Sequence, residues 1–139
     1  MTEFESEIKK IPYSDEMVFG VLSDLSKLEN LKDKLPEDKI QDFWCTPNSC
    51  SFSVAPVGKV TFDVVDREPN KTIKFKSKGL PFEVNAWIQL VSQSKNDTRM
   101  KLTLRAELNP FIKPMVSKPM REGIDKISEV IASLAYDEL

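Results

Sequence analysis

The spacing of apolar residues changes period along the chain, and this change constrains the fold more than any other feature. Across residues 40–108 apolar side chains alternate with polar ones, as at Val60, Phe62 and Val64. A period of two predicts half-buried strands, and the turn residues between the runs predict an antiparallel meander of about six strands. After Pro110 the spacing becomes helical. The sequence therefore predicts a sheet followed by one long helix.

An N-terminal segment alternates in the same way. In residues 2–11, Phe4, Ser6 and Ile8 fall on one face, and charged residues that include Lys9 fall on the other. This pattern predicts one further half-buried strand ahead of the meander. A proline and a tyrosine follow it and end the strand.

Two short helices are predicted between this strand and the meander. Ser14 has the side chain of a helix N-cap and precedes two acidic residues, which suit the positive end of the helix dipole. We expect this first helix to run to about Ser26. Leucines at positions 28, 31 and 35 then lie on one side of a second helical segment, which Pro36 closes.

The C-terminal segment carries an apolar stripe at helical spacing, formed by Met120, Ile124, Ile127, Ile131 and Leu134. Two prolines disfavour one unbroken helix, because proline lacks an N–H group and clashes with the preceding turn. With Ser117 as the N-cap, Pro119 lies in the first turn, where proline is tolerated. A helical turn that carries Phe111, Met115 and Val116 would then precede the long helix and cover one mouth of the sheet.

The composition is that of an ordinary globular protein, and we predict that residues 1–139 form one domain. A net charge of −2 gives no large positive excess, so we expect no nucleic-acid partner. No run approaches the ~18 apolar residues that a membrane span needs, and the N-terminus has no apolar signal segment. We therefore expect a cytoplasmic protein without a membrane span.

The two cysteines, Cys45 and Cys50, flank residues that suit a hairpin turn. Such a turn places the two thiols opposite each other on neighbouring strands. A disulfide is compatible with this geometry if the two residues form a non-hydrogen-bonded pair. Two reduced, half-buried thiols in a reducing compartment are the favoured interpretation. The chain has no histidine, and we expect no metal site and no cofactor.

The order of the predicted elements is one strand, two helices, a meander and a long helix. This order resembles the START-like superfamily, also called the SRPBCC or polyketide cyclase/dehydrase-type superfamily. The resemblance rests on Ile-Pro-Tyr-Ser at residues 11–14 running into the first helix, on the strand that ends in Leu-Asn-Pro-Phe at residues 108–111, and on the closing amphipathic helix. It implies an α+β helix-grip fold, in which a curved antiparallel sheet of about seven strands wraps around a long C-terminal helix.

The resemblance also implies a cavity between the sheet and the last helix. One helix about 10 Å wide cannot fill a strongly curved sheet, so the remaining space is either plugged by phenylalanine rings or left as a pocket. The leading hypothesis is that the chain binds or carries a lipid-like, isoprenoid or aromatic small molecule. The residues predicted to line the pocket are Phe52, Phe62, Phe75, Val84, Ile88, Leu102, Leu104, Met120, Ile124, Ile127 and Ile131.

Two other functions stay open on the sequence alone. A cyclase- or dehydrase-type enzyme would need an ionisable side chain inside the cavity, whereas the alternation places Asp63, Glu83 and Arg105 on the outer face. Without histidine or such a group, we predict no catalytic residue and a protein that is not an enzyme. A protein-interaction module with a vestigial cavity would use outer-face residues such as Trp44 and Trp87, which would also suit a homodimer through that face.

Overall fold

One antiparallel sheet and four helical segments form the fold of the residues that the computed structural model describes, which are 2–35, 38, 40–54 and 57–139. The strands are β1 (Thr2–Glu5), β2 (Lys9–Ile11), β3 (Ile40–Thr46), β4 (Ser49–Val54), β5 (Gly58–Glu68), β6 (Thr72–Lys78), β7 (Val84–Ser94) and β8 (Asp97–Ala106). The helices are α1 (Asp15–Leu22) and α2 (Lys113–Ala132), and the 3₁₀ helices are η1 (Leu25–Lys34) and η2 (Tyr136–Glu138).

The strands follow one another across the sheet in the order β1-β8-β7-β6-β5-β4-β3, and β2 also pairs with β8. From β3 to β8 each strand pairs with the next one in the chain, which is the meander that the alternation predicts. The short helices α1 and η1 lie between β2 and β3, and α2 follows β8. The predicted α+β fold is therefore confirmed, with a curved antiparallel sheet, two short helices after its first strands and a long C-terminal helix.

The strand registers gather apolar residues on one face of the sheet. Phe75 on β6 lies directly opposite Val64 on β5 and Ala86 on β7, and Ala86 lies opposite Leu104 on β8. Directly opposite residues in antiparallel strands point to the same face, so this row and the rows beside it form one apolar surface. We call it the concave face. It is the face that the alternation assigns to the interior.

The long helix covers only one side of the concave face. The backbone of α2 lies close to β1, β2, β8 and η1, and its inner residues Ile124 and Ile131 are 5% and 2% exposed. Arg121 lies over the ring of Phe4 on β1, 5.7 Å from the ring centroid. Among the described elements, β4, β5 and β6 lie farther from the α2 backbone. Their part of the concave face is therefore less enclosed than the β1–β8 side.

The N-terminal strand is divided, which corrects the single strand that the alternation predicts. The Ser6 N–H donates to the Leu102 carbonyl, and the Ser6 hydroxyl oxygen accepts from the Leu102 N–H, both at 2.9 Å. The Ser6 hydroxyl oxygen thus accepts the hydrogen bond that a backbone carbonyl would accept in a regular strand. The register of pairing with β8 shifts by one residue between β1 and β2. The shift turns Ile8 outward, where it is 66% exposed, and puts Lys9 on the face of Met100.

A second bulge changes the faces at the end of β5. The register shifts after Val64, so that Arg67 lies opposite Ile73 and shares its concave face. The Arg67 guanidinium donates to the carbonyl oxygens of Ser23 and Pro47 and to the side-chain oxygen of Asn48. These bonds tie the end of α1 and the β3–β4 turn to the sheet, and they close this end of the concave face.

The first helix is shorter than predicted. Its N-cap is Ser14, as predicted, and the Ser14 hydroxyl oxygen accepts from the Met17 N–H at 3.2 Å. Asp24 caps η1 by accepting a hydrogen bond from the Ser26 N–H at 3.1 Å, so the helical path breaks before Ser26. The predicted leucines of this second segment are buried. The proline predicted to close it, Pro36, lies outside the described residues.

The C-terminal helix begins earlier than the sequence predicts. α2 starts at Lys113 and contains Pro119 in its interior. Ser117 is not the N-cap, because it lies within the helix and donates its hydroxyl to the Lys113 carbonyl at 2.6 Å. No helix in the described ranges, α2 included, is long and apolar enough to cross a membrane.

The turn before α2 is set by Asn109, which belongs to the Leu-Asn-Pro-Phe segment at residues 108–111. The Asn109 side-chain oxygen accepts hydrogen bonds from the Phe111 and Ile112 N–H groups, both at 2.9 Å. Phe111 and Met115 are 87% and 63% exposed, whereas Val116 is 5% exposed. The prediction that all three apolar residues cover a mouth of the sheet is therefore wrong for Phe111 and Met115.

The two cysteines form a disulfide, which differs from the favoured interpretation of two reduced thiols. Cys45 on β3 lies directly opposite Cys50 on β4, with a Cα–Cα distance of 4.2 Å. The Cys45 N–H points away from β4 and donates to the Glu29 carboxylate of η1 at 2.9 Å. This direction identifies a non-hydrogen-bonded pair, which is the pairing that the hairpin interpretation requires for a disulfide.

The C-terminal segment is anchored by Tyr136, which is 2% exposed and donates its hydroxyl to the Ile131 carbonyl at 2.8 Å. Burial raises the pKa of Tyr136 above its ordinary value of 10.0, because a phenolate in the core would lose its hydration. In the unfolded chain the same phenol loses its proton near the ordinary value. Its contribution to stability is therefore complete below pH 10 and is lost as the pH rises further.

We expect the free energy of unfolding to fall as the pH rises above about 10, and Tyr136→Phe to remove part of this fall. Urea titrations at a series of alkaline pH values measure it. Tyr13→Phe is the comparison variant: the hydrogen bond that Tyr13 donates to Asp137, at 3.0 Å, also raises the pKa of Tyr13, but Tyr13 lies at the surface, so this variant should remove the smaller part of the fall. An unchanged pH dependence in Tyr136→Phe would contradict the expectation.

Candidate functional site

Interior-facing apolar side chains that remain partly exposed mark a surface between the concave face and α2 that the described residues do not cover completely. On the sheet they are Phe43, Phe52, Phe62, Val64, Ala86 and Leu104. On the helix they are Met120 and Ile127. A side chain that faces the interior yet keeps contact with solvent borders space that the protein does not fill. We call the space bordered by these residues the apolar trough.

Three phenylalanine rings form the wall of the trough on β3, β4 and β5. The ring centroids of Phe43 and Phe52 are 6.2 Å apart, and those of Phe52 and Phe62 are 6.0 Å apart. These spacings lie within the range of favourable aromatic contacts, so each ring supports its neighbour. The disulfide extends this wall, because Cys50 lies opposite Phe62 on the same face. The wall is therefore apolar and polarisable.

The inner side of α2 has two rows of residues that differ in exposure. Ile124, Ser128 and Ile131 are spaced four and three residues apart and are 5%, 0% and 2% exposed. In the neighbouring row, Met120 and Ile127 remain partly exposed. Residues spaced in this way share one side of a helix. The first row belongs to the packed core, and the second row faces the trough.

Two cations lie on the concave face towards its edges, which corrects the prediction that this face is nearly free of ionisable residues. The two bulges put them there, because each bulge exchanges the faces of the residues that follow. The Lys9 Nζ lies 3.7 Å from a Glu7 carboxylate oxygen, and the Lys9 side chain is 24% exposed. Arg67 is held by the three oxygens named above. Within the described residues, no group of three His, Cys, Asp or Glu side chains could hold a metal ion.

A separate cleft of about 660 Å³ opens on the surface beside the N-terminus of α2. Its lining residues are Thr2, Glu107, Leu108, Asn109, Pro110 and Lys113. They lie where β8 ends and β1 begins, and none of them is a predicted pocket residue. The cleft is thus distinct from the apolar trough.

Comparisons with known proteins bear on the fold. No protein-family model and no curated protein sequence matches the chain. Among solved structures, a START superfamily protein from Mycobacterium smegmatis is 14% identical, with 99% of each chain covered and a TM-score of 0.71. A protein from Thermus thermophilus is 20% identical, with 94% of each chain covered and a TM-score of 0.67. The chain has the helix-grip fold of START superfamily proteins.

An enzyme with the same helix-grip fold corrects the prediction that this chain is not an enzyme. Norcoclaurine synthase from Thalictrum flavum, solved in complex with dopamine and hydroxybenzaldehyde, is 15% identical to the chain. The match covers 99% of this chain and 88% of the synthase, with a TM-score of 0.71. The helix-grip fold is therefore no ground for excluding catalysis.

The helix-grip fold places the predicted pocket residues in two environments. Those that border the apolar trough are Phe52, Phe62, Leu104, Met120 and Ile127. Those that are buried in the core are Phe75, Val84, Ile88, Leu102, Ile124 and Ile131. The pocket prediction omitted Phe43, Val64 and Ala86, although they follow the same alternation and share the concave face. Contact of any of these residues with a ligand stays a prediction.

The outer face of the sheet carries charged residues, as predicted. Asp63 and Arg105 lie on this face, and Glu83 reaches Lys76, the residue opposite Asp63. Each is within 4 Å of an oppositely charged side chain, in the pairs Lys78–Asp63, Lys76–Glu83 and Arg105–Glu3. Such solvated pairs contribute little to stability, about 0–1 kcal/mol each.

The two tryptophans of the outer face do not form one continuous patch. Trp44 is 48% exposed on the edge strand β3, and Trp87 lies on β7, four strand spacings or about 19 Å away. The cationic groups of Lys74 and Arg105 lie 5.5 Å and 5.3 Å from the Trp87 ring centroid. These cations make the surface around Trp87 polar. A homodimer through this face stays a prediction.

Proposed function

We propose that the chain binds an apolar small molecule in the apolar trough. One observation carries the proposal: apolar side chains that face the interior from both the sheet and α2 stay partly exposed, while the rows beside them are buried. A ligand that fills the trough would remove this surface from water, and burial of apolar surface contributes about 25 cal/mol per Å². The synthase of the same fold, which is solved with two small aromatic molecules, gives independent support.

The wall of phenylalanines indicates the class of ligand. Phe43, Phe52 and Phe62 present ring faces and edges in one row, and such rings make specific contacts with other π-systems. Met120 on the opposite wall has a flexible thioether that adapts to irregular apolar shapes. We therefore propose an aromatic or isoprenoid molecule, with a saturated lipid chain as the weaker candidate.

Ile127→Trp tests the proposal, because the larger indole would occupy the trough from the helix side. We expect the variant to bind N-phenylnaphthylamine, a neutral apolar fluorescent probe, at least roughly tenfold more weakly than the wild type. Fluorescence titration measures the affinity, and circular dichroism confirms that the helix content is unchanged. Lys126→Trp is the matched control, because Lys126 is exposed on the neighbouring position of α2 and should leave the affinity unchanged.

Two results would contradict the proposal that a ligand binds in the apolar trough. In the first, the wild type shows no saturable binding of the probe. In the second, Ile127→Trp and Lys126→Trp bind the probe as well as the wild type does, which would locate the bound probe outside the trough.

A further inference from the structure

Two exposed apolar side chains lie four residues apart in the chain at the start of α2. Phe111 is 87% exposed and Met115 is 63% exposed. The backbone of Phe111 is held in an ordered turn, because its N–H donates to the Asn109 side-chain oxygen at 2.9 Å. The turn therefore holds the backbone of Phe111 in place while its large apolar ring is exposed to solvent.

The same segment is locally cationic although the chain as a whole is acidic. Residues 109–121 contain Lys113, Lys118 and Arg121 and no acidic residue, whereas the chain has a net charge of −2. The Lys118 side chain is 84% exposed and lies 4.0 Å from Glu122, which is the nearest acid along the helix. We call Phe111, Lys113, Met115 and Lys118 the α2 tip.

We infer that the α2 tip docks on a membrane surface that contains anionic lipids. Exposed apolar side chains next to lysines match the two layers of such a surface: the apolar groups enter the boundary between head groups and acyl chains, and the ammonium groups stay at the level of the lipid phosphates. Contact with a second copy of the chain through this segment would instead bring like charges together. The charge of the tip therefore favours lipid.

The position of the α2 tip determines which end of the sheet would face the membrane. The tip follows the end of β8, where Ala106 lies opposite Thr2 and Val84, the first residues of their strands. The Arg67 bonds lie at the other end of the sheet, beside the β3–β4 turn. Docking of the tip would therefore bring one end of the sheet to the membrane. This is the end at which β8 finishes, and the Arg67 bonds lie at the opposite end. The inference goes beyond the proposed function and stands without it.

Vesicle sedimentation of the full-length chain tests the inference. We expect binding to vesicles of phosphatidylcholine mixed with phosphatidylglycerol, weaker binding to phosphatidylcholine alone, and loss of binding at high salt. Phe111→Ala/Met115→Ala should weaken binding to the anionic vesicles roughly tenfold or more. Lys113→Gln/Lys118→Gln should weaken binding to the anionic vesicles and leave binding to phosphatidylcholine unchanged.

The matched control is Ile8→Ala/Val91→Ala, which removes two other exposed apolar side chains, 66% and 59% exposed, and should bind as the wild type does. Absence of binding to anionic vesicles overturns the inference, and so does an equal loss in the control. A dimer detected by light scattering that Phe111→Ala abolishes would assign the tip to a second copy and also overturn it. Titration with N-phenylnaphthylamine without vesicles reports on the trough separately, so the two proposals fail independently.

Discussion

Ile11→Ala is expected to lower the free energy of unfolding by about 2–5 kcal/mol, whereas Ile8→Ala is expected to change it by no more than about 0.5 kcal/mol. The two isoleucines lie three positions apart, so a regular strand would place them on opposite faces, with Ile8 on the interior face and Ile11 on the outer face. Ile11 is 0% exposed and belongs to the core cluster, and Ile8 is 66% exposed. The difference arises because the Ser6 hydroxyl replaces a backbone acceptor and shifts the register.

Urea denaturation of the two variants and the wild type at neutral pH measures the difference directly. Equal slopes of free energy against urea concentration are the condition for comparing the values. If Ile8→Ala proved more costly than Ile11→Ala, the regular alternation would describe the N-terminal strand and the bulge at Ser6 would be wrong.

Removal of the disulfide is expected to lower the free energy of unfolding by about 2 kcal/mol, because the Cys45–Cys50 bridge closes a short loop and short loops constrain the unfolded chain least. Either a reductant or the double variant Cys45→Ala/Cys50→Ala should produce this loss. The two residues line the concave face and are each 8% exposed, so their replacement by alanine also removes some apolar contact. The free energy of unfolding should therefore fall further in the double variant than in the reduced wild type.

The double variant also serves as the control for the reductant. Addition of a thiol reductant should lower the stability of the wild type and leave that of the double variant unchanged. Two titratable thiols in the native protein, measured before any reductant is added, would contradict the disulfide and restore the interpretation of two reduced cysteines.

The faces of most strands could be predicted from the sequence, and the exceptions have one cause. A half-buried strand alternates apolar and polar residues, so Val64, Phe75 and Leu104 were placed on the correct face. The alternation of apolar and polar residues does not show where a β-bulge inserts an extra residue into a strand. Lys9 was therefore placed on the wrong face, and Arg67 was not predicted on the concave face, because each follows a bulge that the composition does not reveal.

The candidate site could be predicted only in part for a different reason. Alternation and helical spacing select the residues that face the interior, but they do not give the position of α2 over the sheet. That position depends on tertiary packing against Phe4 and its neighbours. Of the residues predicted to line the pocket, Phe75 and Ile88 are buried, and the partly exposed Phe43 was not among them.

The Glu29 carboxylate affects how the chain behaves at high concentration. β3 is an edge strand, and the free N–H groups of an edge strand are a template on which another molecule can add a strand and start aggregation. Glu29 occupies one of these groups, the Cys45 N–H, and Asp42 interrupts the regular backbone of the strand with a positive φ of 55°. An incoming strand would have to displace a negative charge and pair with an irregular edge, so this edge is protected against self-association into fibres.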